Sequence, residues 1–150
     1  MSLRKTIEQD IQNAMRSKDE MKLRVLRLIL SAIKLGDAEK GIPIEDAAIL
    51  TIIQKEGKIR LDSIKDAEAA GRPDMIEQNR QEIAILESYL PKQLSEEELI
   101  PFIEAAIKEV KASSAADMGK VMKVLLPRVQ GQAPNALISQ TVKRVLESKA

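Results

Sequence analysis

Apolar side chains recur at every third or fourth position along most of the chain, which is the spacing of one helix face. Leu3, Ile7, Ile11 and Met15 follow this spacing in a first segment that ends near Ser17. Similar spacing predicts six further helices, at about residues 21–35, 44–70, 73–89, 96–110, 115–126 and 135–148. The sequence therefore predicts an all-α protein.

The helical pattern is interrupted most clearly at residues 89–94, where Pro91 follows a leucine. Ser95 and Glu98 then have the spacing of a capping box, which starts a new helix. We therefore predict an N-terminal helical bundle over residues 1–90 and a small C-terminal helical domain over residues 95–150. Gly36 is predicted to end the second helix, because glycine favours the left-handed conformation found after helices.

The composition limits both the core and the chemistry. Tyr89 and Phe102 are the only aromatic residues, so the core is expected to consist of aliphatic side chains. The chain contains no Cys and no His, which removes thiolate nucleophiles, imidazole bases and the usual zinc ligands. We expect no catalytic residue, no metal and no cofactor.

The start of the chain has neither the apolar run of a signal peptide nor that of an anchor. No apolar stretch approaches the ~20 residues that a membrane span requires. Together with the absence of Cys, this favours a cytoplasmic protein without membrane contact.

Charge is balanced over the whole chain, with 24 basic and 23 acidic residues, but not along it. From Ala112 onward, the sequence contains six basic residues and only two acidic ones. Such a surface is either a solvated helix face or a phosphate-binding surface. Single-stranded RNA is usually held by aromatic stacking, and no aromatic residue follows Phe102, so a folded RNA is the favoured ligand. The candidate phosphate contacts are Lys120, Lys123, Arg128, Lys143 and Arg144.

The hexapeptide at residues 117–122 places a glycine and a lysine near a predicted helix start. Gly119 would let a neighbouring backbone come close, and a phosphate could lie against Lys120 and nearby amides. The alternative is that Met118 and Met122 are core residues and that Gly119 is a helix-packing contact. Ser114 and Asp117 repeat the capping-box spacing just before this helix.

Four motifs together resemble the YqeY-like family, and the resemblance spans nearly the whole chain. They are Arg60-Leu61-Asp62-Ser63, Ala70-Gly71-Arg72, Tyr89-Leu90-Pro91-Lys92-Gln93-Leu94-Ser95 and Ala112-Ser113-Ser114-Ala115-Ala116-Asp117-Met118-Gly119-Lys120-Val121-Met122. This family is similar to the helical and tail portions of the B subunit of the glutamine-dependent amidotransferase that acts on misacylated Glu-tRNA or Asp-tRNA. The resemblance implies a three-helix tail domain that helps to hold tRNA, with Ser114 and Gly119 in its motif.

The leading hypothesis is a tRNA-interacting module without catalytic activity of its own, acting alone or beside an aminoacyl-tRNA synthetase or amidotransferase. Two alternatives stay open. One is an accessory or component of a carbon-nitrogen ligase with glutamine as amido-N-donor, which the family relation suggests. The other is a helical adaptor that receives a partner helix in an apolar groove between its two domains.

Overall fold

A computed structural model describes residues 2–149 and confirms the all-α prediction, because these residues contain helices and no β-strand. The chain divides into two compact units, Met1–Pro91 and Lys92–Ala150. The first unit contains α1 (Leu3–Ser17), α2 (Glu20–Lys40), α3 (Asp46–Ala69) and α4 (Pro73–Glu87). The second contains α5 (Glu96–Val110), α6 (Met118–Leu125) and α7 (Asn135–Lys149), with single 3-10 turns at Ala115–Asp117 and Leu126–Arg128.

Each unit has its own core, and both cores are aliphatic as predicted. In the first unit, side chains from α1, α2, the first half of α3 and the end of α4 meet at Ile7, Val25, Leu26, Ile29, Ile33, Ile49, Ile53 and Leu86. In the second unit, α5, α6 and α7 pack around a cluster that includes Leu99, Ile103, Val121, Leu125, Ile138, Val142 and Leu146. Burying one such side chain stabilises the fold by about 1.5–3 kcal/mol.

The prediction that α2 ends at Gly36 is wrong, because α2 continues to Lys40 and Gly41 takes the left-handed cap with φ +79°. Gly36 instead leaves room for the loop after α2. A Cβ atom at Gly36 would lie 3.2 Å from Cδ1 of Ile44. The glycine therefore serves close packing between the helix and its own following loop.

Asp37 lies in the last turn of α2, beyond Gly36, and connects that turn to other parts of the first unit. Both of its carboxylate oxygens accept hydrogen bonds from the Arg4 guanidinium, at 2.8 Å each. The backbone N–H of Ile44 donates to the same carboxylate at 2.8 Å. The Arg4 guanidinium and this N–H hold the pKa of Asp37 below its usual range. The start of α1, the end of α2 and the loop before α3 thus share one carboxylate.

The capping box at the start of α5 is confirmed. The Ser95 hydroxyl accepts the N–H of Glu98 at 3.2 Å, and the Glu98 carboxylate accepts the N–H of Ser95 at 3.1 Å. The preceding residues also belong to the second unit, since the N–H of Leu94 donates to the carbonyl of Gln132 at 2.8 Å.

A charged network lies inside the first unit where α2, α3 and α4 meet. Arg60 and Glu82 are both buried, with 7% of their surface exposed. The Arg60 Nη1 atom donates to the Glu56 carboxylate at 2.8 Å, and Arg60 Nε lies 3.8 Å from Glu82 Oε2. The other Glu82 oxygen accepts from Arg24 at 3.1 Å. Glu82 is therefore the counter-charge shared by an arginine of α3 and an arginine of α2.

Removing one member of a buried ion pair is strongly destabilising, because the remaining charge stays out of water without compensation. We expect Glu82→Ala to lower the free energy of unfolding by about 3 kcal/mol, the lower end of the usual range, since Glu56 still pairs with Arg60. The double variant Arg60→Met/Glu82→Leu should lose less than the single one. Urea unfolding followed by circular dichroism measures both.

Glu87→Ala is the matched control, because Glu87 lies on the same helix, is exposed and forms no ion pair within residues 2–149. It should change stability by less than about 0.5 kcal/mol. A Glu82→Ala variant as stable as the control would show that the network contributes nothing to the fold.

Tyr89 anchors the end of the first unit to its first helix. Its hydroxyl donates to Asp10 on α1 at 2.5 Å, 79 positions away along the chain. Burial of the phenol, together with this hydrogen bond to a carboxylate, raises the pKa of Tyr89 far above its ordinary value. The neutral phenol is thus the form that the folded unit requires.

This shift has a definite sign in the pH dependence of stability. The pKa of Tyr89 is higher in the folded protein than in the unfolded chain. Its contribution to the free energy of unfolding is therefore complete below about pH 10 and is lost as the pH rises above that value. Tyr89 is the only tyrosine and Trp is absent, so the ultraviolet absorbance of phenolate reports this one group. We expect its titration in the native protein to begin well above that in urea. Tyr89→Phe should remove the part of the alkaline destabilisation that comes from this phenol. If Tyr89 titrated identically in the native protein and in urea, its hydrogen bond to Asp10 would not contribute to stability.

Candidate nucleic-acid interface

The predicted phosphate contacts all lie in the second unit, on two stretches of chain. Lys120, Lys123 and Arg128 lie on α6 and the 3-10 turn after it. Lys143 and Arg144 lie on α7, which packs against both α5 and α6. All five side chains are exposed.

The start of α6 differs from the predicted phosphate cradle. A 3-10 turn at Ala115–Asp117 leads directly into the helix, and the N–H of Met118 already donates to the carbonyl of Ala115. The predicted Ser114–Asp117 capping box is wrong, since the Ser114 side chain makes no capping hydrogen bond. The Asp117 carboxylate instead accepts the N–H of Ser113 at 2.9 Å. This hydrogen bond lowers the pKa of Asp117 below its usual range.

The sequence offered two explanations for Gly119, namely close approach of a neighbouring backbone and a contact between packed helices. Neither is found within the chain. A Cβ atom built at this glycine meets no other atom within 4 Å. Gly119 is therefore neither a packing contact between helices nor the approach point of a neighbouring backbone. Met118 and Met122 do pack against the core of the second unit, as the alternative interpretation of the hexapeptide predicted. The glycine leaves an open surface on the first turn of α6.

Three of the five cations have carboxylate partners in the second unit. Arg144 pairs with Glu96 and Arg128 pairs with Glu109. Lys120 lies 3.9 Å from Asp117. Lys123 and Lys143 form no ion pair within residues 2–149. The two arginine pairs join residues 19 or more positions apart, so no local sequence pattern indicates them.

These ion pairs also show how far the basic surface extends. Glu96 and Glu109 lie near opposite ends of α5, 13 residues apart. At a rise of ~1.5 Å per residue, the arginines that they hold are separated by about 20 Å along the helix. Arg128 and Arg144 therefore do not converge on one point. Such an arrangement suits a row of phosphates better than a single small anion.

No group of three or more Asp or Glu side chains within residues 2–149 is placed to hold a metal ion. None of the helices described is long and apolar enough to cross a membrane.

The fold and this surface define a class of all-α proteins with two helical units, the second of which carries exposed cations. The chain belongs to the family described as Yqey-like protein, whose family model matches residues 4–146. This confirms the resemblance found in the sequence motifs.

Curated relatives are found in fungi under the name "Altered inheritance of mitochondria protein 41, mitochondrial". The protein of Pyrenophora tritici-repentis is 28% identical over 95% of this chain and 80% of its own length. That of Candida glabrata is 29% identical over 93% of this chain and 69% of its own. That of Saccharomyces cerevisiae strain YJM789 is 28% identical over 92% and 80%. These names assign the relatives to mitochondria, so they lend no support to the cytoplasmic location predicted for this chain.

Proposed function

We propose that the second unit binds structured tRNA through its backbone phosphates. The observation that carries this proposal is the set of five exposed cations on the three-helix second unit, two of which pair with carboxylates about 20 Å apart along α5. Phosphates are contacted by Lys and Arg without regard to base sequence. The absence of aromatic residues after Phe102 leaves no platform for base stacking, so the contacts fall on backbone and shape.

The acidic partners of the arginines are compatible with this role. Ion pairs between exposed side chains contribute only about 0–1 kcal/mol, so a phosphate group can displace the carboxylate. Arg128 and Arg144 are 42% and 58% exposed in these pairs. Before RNA binds, Glu109 and Glu96 therefore orient the arginines without blocking them.

Lys120 and Lys123 form one exposed part of the proposed interface. They are three residues apart on α6, which places them on the same side of the helix. Gly119 beside them presents no side chain, so a phosphate backbone can approach the first turn of α6 closely.

In this proposal the protein has no catalytic activity of its own and presents tRNA to an enzyme such as an aminoacyl-tRNA synthetase or amidotransferase. The cytoplasm is its proposed location.

The proposal predicts that Lys120→Glu/Lys123→Glu weakens binding of bulk tRNA by more than about tenfold at low salt. Each lost phosphate contact should also flatten the slope of log affinity against log salt by roughly 0.7 to 0.9. Fluorescence anisotropy at several salt concentrations measures both quantities, and circular dichroism checks that helicity is unchanged.

Lys55→Glu/Lys65→Glu is the control, since it changes the net charge equally but lies on the exposed side of α3 in the first unit. The control should retain most of the affinity. Equal losses in the two double variants would mean that only net charge matters and that the second unit is not the interface.

A second prediction concerns the carboxylates. Glu96→Gln/Glu109→Gln releases Arg144 and Arg128, and should tighten tRNA binding by a few-fold, as expected for pairs worth up to ~1 kcal/mol each. Glu97→Gln/Glu104→Gln removes the same charge from residues that form no ion pair within the described chain. If Glu96→Gln/Glu109→Gln increased the affinity for tRNA no more than this control does, the two arginines would not contact the RNA.

A further inference from the structure

One side of α2 in the first unit is exposed along about three turns. We name it the α2 stripe, and it consists of Arg24, Arg27, Leu28, Ser31, Lys34 and Leu35. These residues follow the i, i+3, i+4, i+7 spacing of a single helix face. The opposite side of the helix is buried, with Val25, Leu26, Ile29 and Ile33 in the core of the unit.

Two leucines of the stripe are unusually open to solvent. Leu28 is 49% exposed and Leu35 is 61% exposed. They are seven residues apart, about 10 Å along the helix axis. Leu28 also borders a depression of ≈ 550 Å³, which is lined by Glu20, Leu23, Arg24, Arg27, Leu28 and Ser31. Exposed leucines at two-turn spacing on one helix face are suited to receive apolar side chains of a second helix.

The stripe is basic. Its six residues include three cations and no carboxylate, while Glu20 lies one turn before it on the same side of α2. Arg27 and Lys34 form no ion pair within residues 2–149, so their charges are not neutralised there. Arg24 donates to Glu82 but is still 52% exposed. A complementary partner therefore has to combine apolar side chains with acidic ones.

We propose that the α2 stripe is a docking surface for an acidic amphipathic helix of a partner protein, independently of tRNA binding by the second unit. The partner's apolar residues pack on Leu28 and Leu35, and its carboxylates face Arg27 and Lys34. A second copy of this stripe fits poorly, because pairing two such faces would bring cations against cations. A nucleic acid would meet the cations but would leave the two leucines without a complementary surface.

The test uses the full chain and a fluorescein-labelled helical peptide of about three heptads. The peptide carries leucines two turns apart on one face and glutamates beside them. We expect saturable binding in anisotropy measurements, and no binding of a peptide in which every Glu is replaced by Lys. Leu28→Ser/Leu35→Ser should weaken binding by about tenfold or more, as for apolar anchors at an interface.

Two controls separate the stripe from general effects. Leu61→Ser removes a leucine of similar exposure, 54%, from α3 and should leave binding unchanged. Arg27→Glu/Lys34→Glu should abolish peptide binding, whereas the equally charged Lys55→Glu/Lys65→Glu should not. Circular dichroism of each variant verifies that it is folded.

Several results would overturn the proposal. Peptide binding that is insensitive to both the leucine and the charge variants of the stripe would do so, as would no saturable binding at all. Bulk tRNA and vesicles containing phosphatidylserine serve as competing probes. If either one binds more weakly to Leu28→Ser/Leu35→Ser than to the parent chain while the acidic peptide does not bind, the stripe is a nucleic-acid or membrane surface.

Discussion

Packing of aliphatic side chains between helices is the constraint on which both units of this protein depend. With Tyr89 and Phe102 as the only aromatic residues, and with Phe102 39% exposed, neither core can be filled by large rings. Leu, Ile, Val and Ala fill both cores instead. Each of these side chains stabilises the fold only where several helices bury it together. Each unit therefore needs all of its helices to close its core.

Polar contacts in the first unit determine how its helices are arranged around that core. Glu82 links α4 to α2 and α3, Asp37 links α1 to the end of α2, and Tyr89 links the end of the unit to α1. The helices of the first unit are thus joined by specific polar contacts at three places, besides their shared apolar core.

The exposed surfaces of the two units have different chemistry. The second unit presents cations with little apolar surface among them, which suits a polyanion, and its arginines are already oriented by carboxylates. The α2 stripe mixes cations with exposed leucines, which suits a partner that is both acidic and apolar. The two units therefore differ in the kind of ligand that their exposed side chains complement.

The sequence alone determined the helices, the two aliphatic cores, the capping box at Ser95 and the family. All of these depend on residues a few positions apart or on composition, so they are visible in a linear pattern. Only the tertiary structure decided that α2 passes through Gly36, because Ile44 packs against that glycine and Arg4 reaches Asp37. It likewise decided that Arg60 and Glu82 are buried together, that Glu96 and Glu109 hold two of the predicted phosphate contacts, and that Gly119 faces open space. These features depend on which parts of different helices come into contact. The periodicity of a sequence shows which face of a helix is apolar, but it does not show which other helix that face will meet.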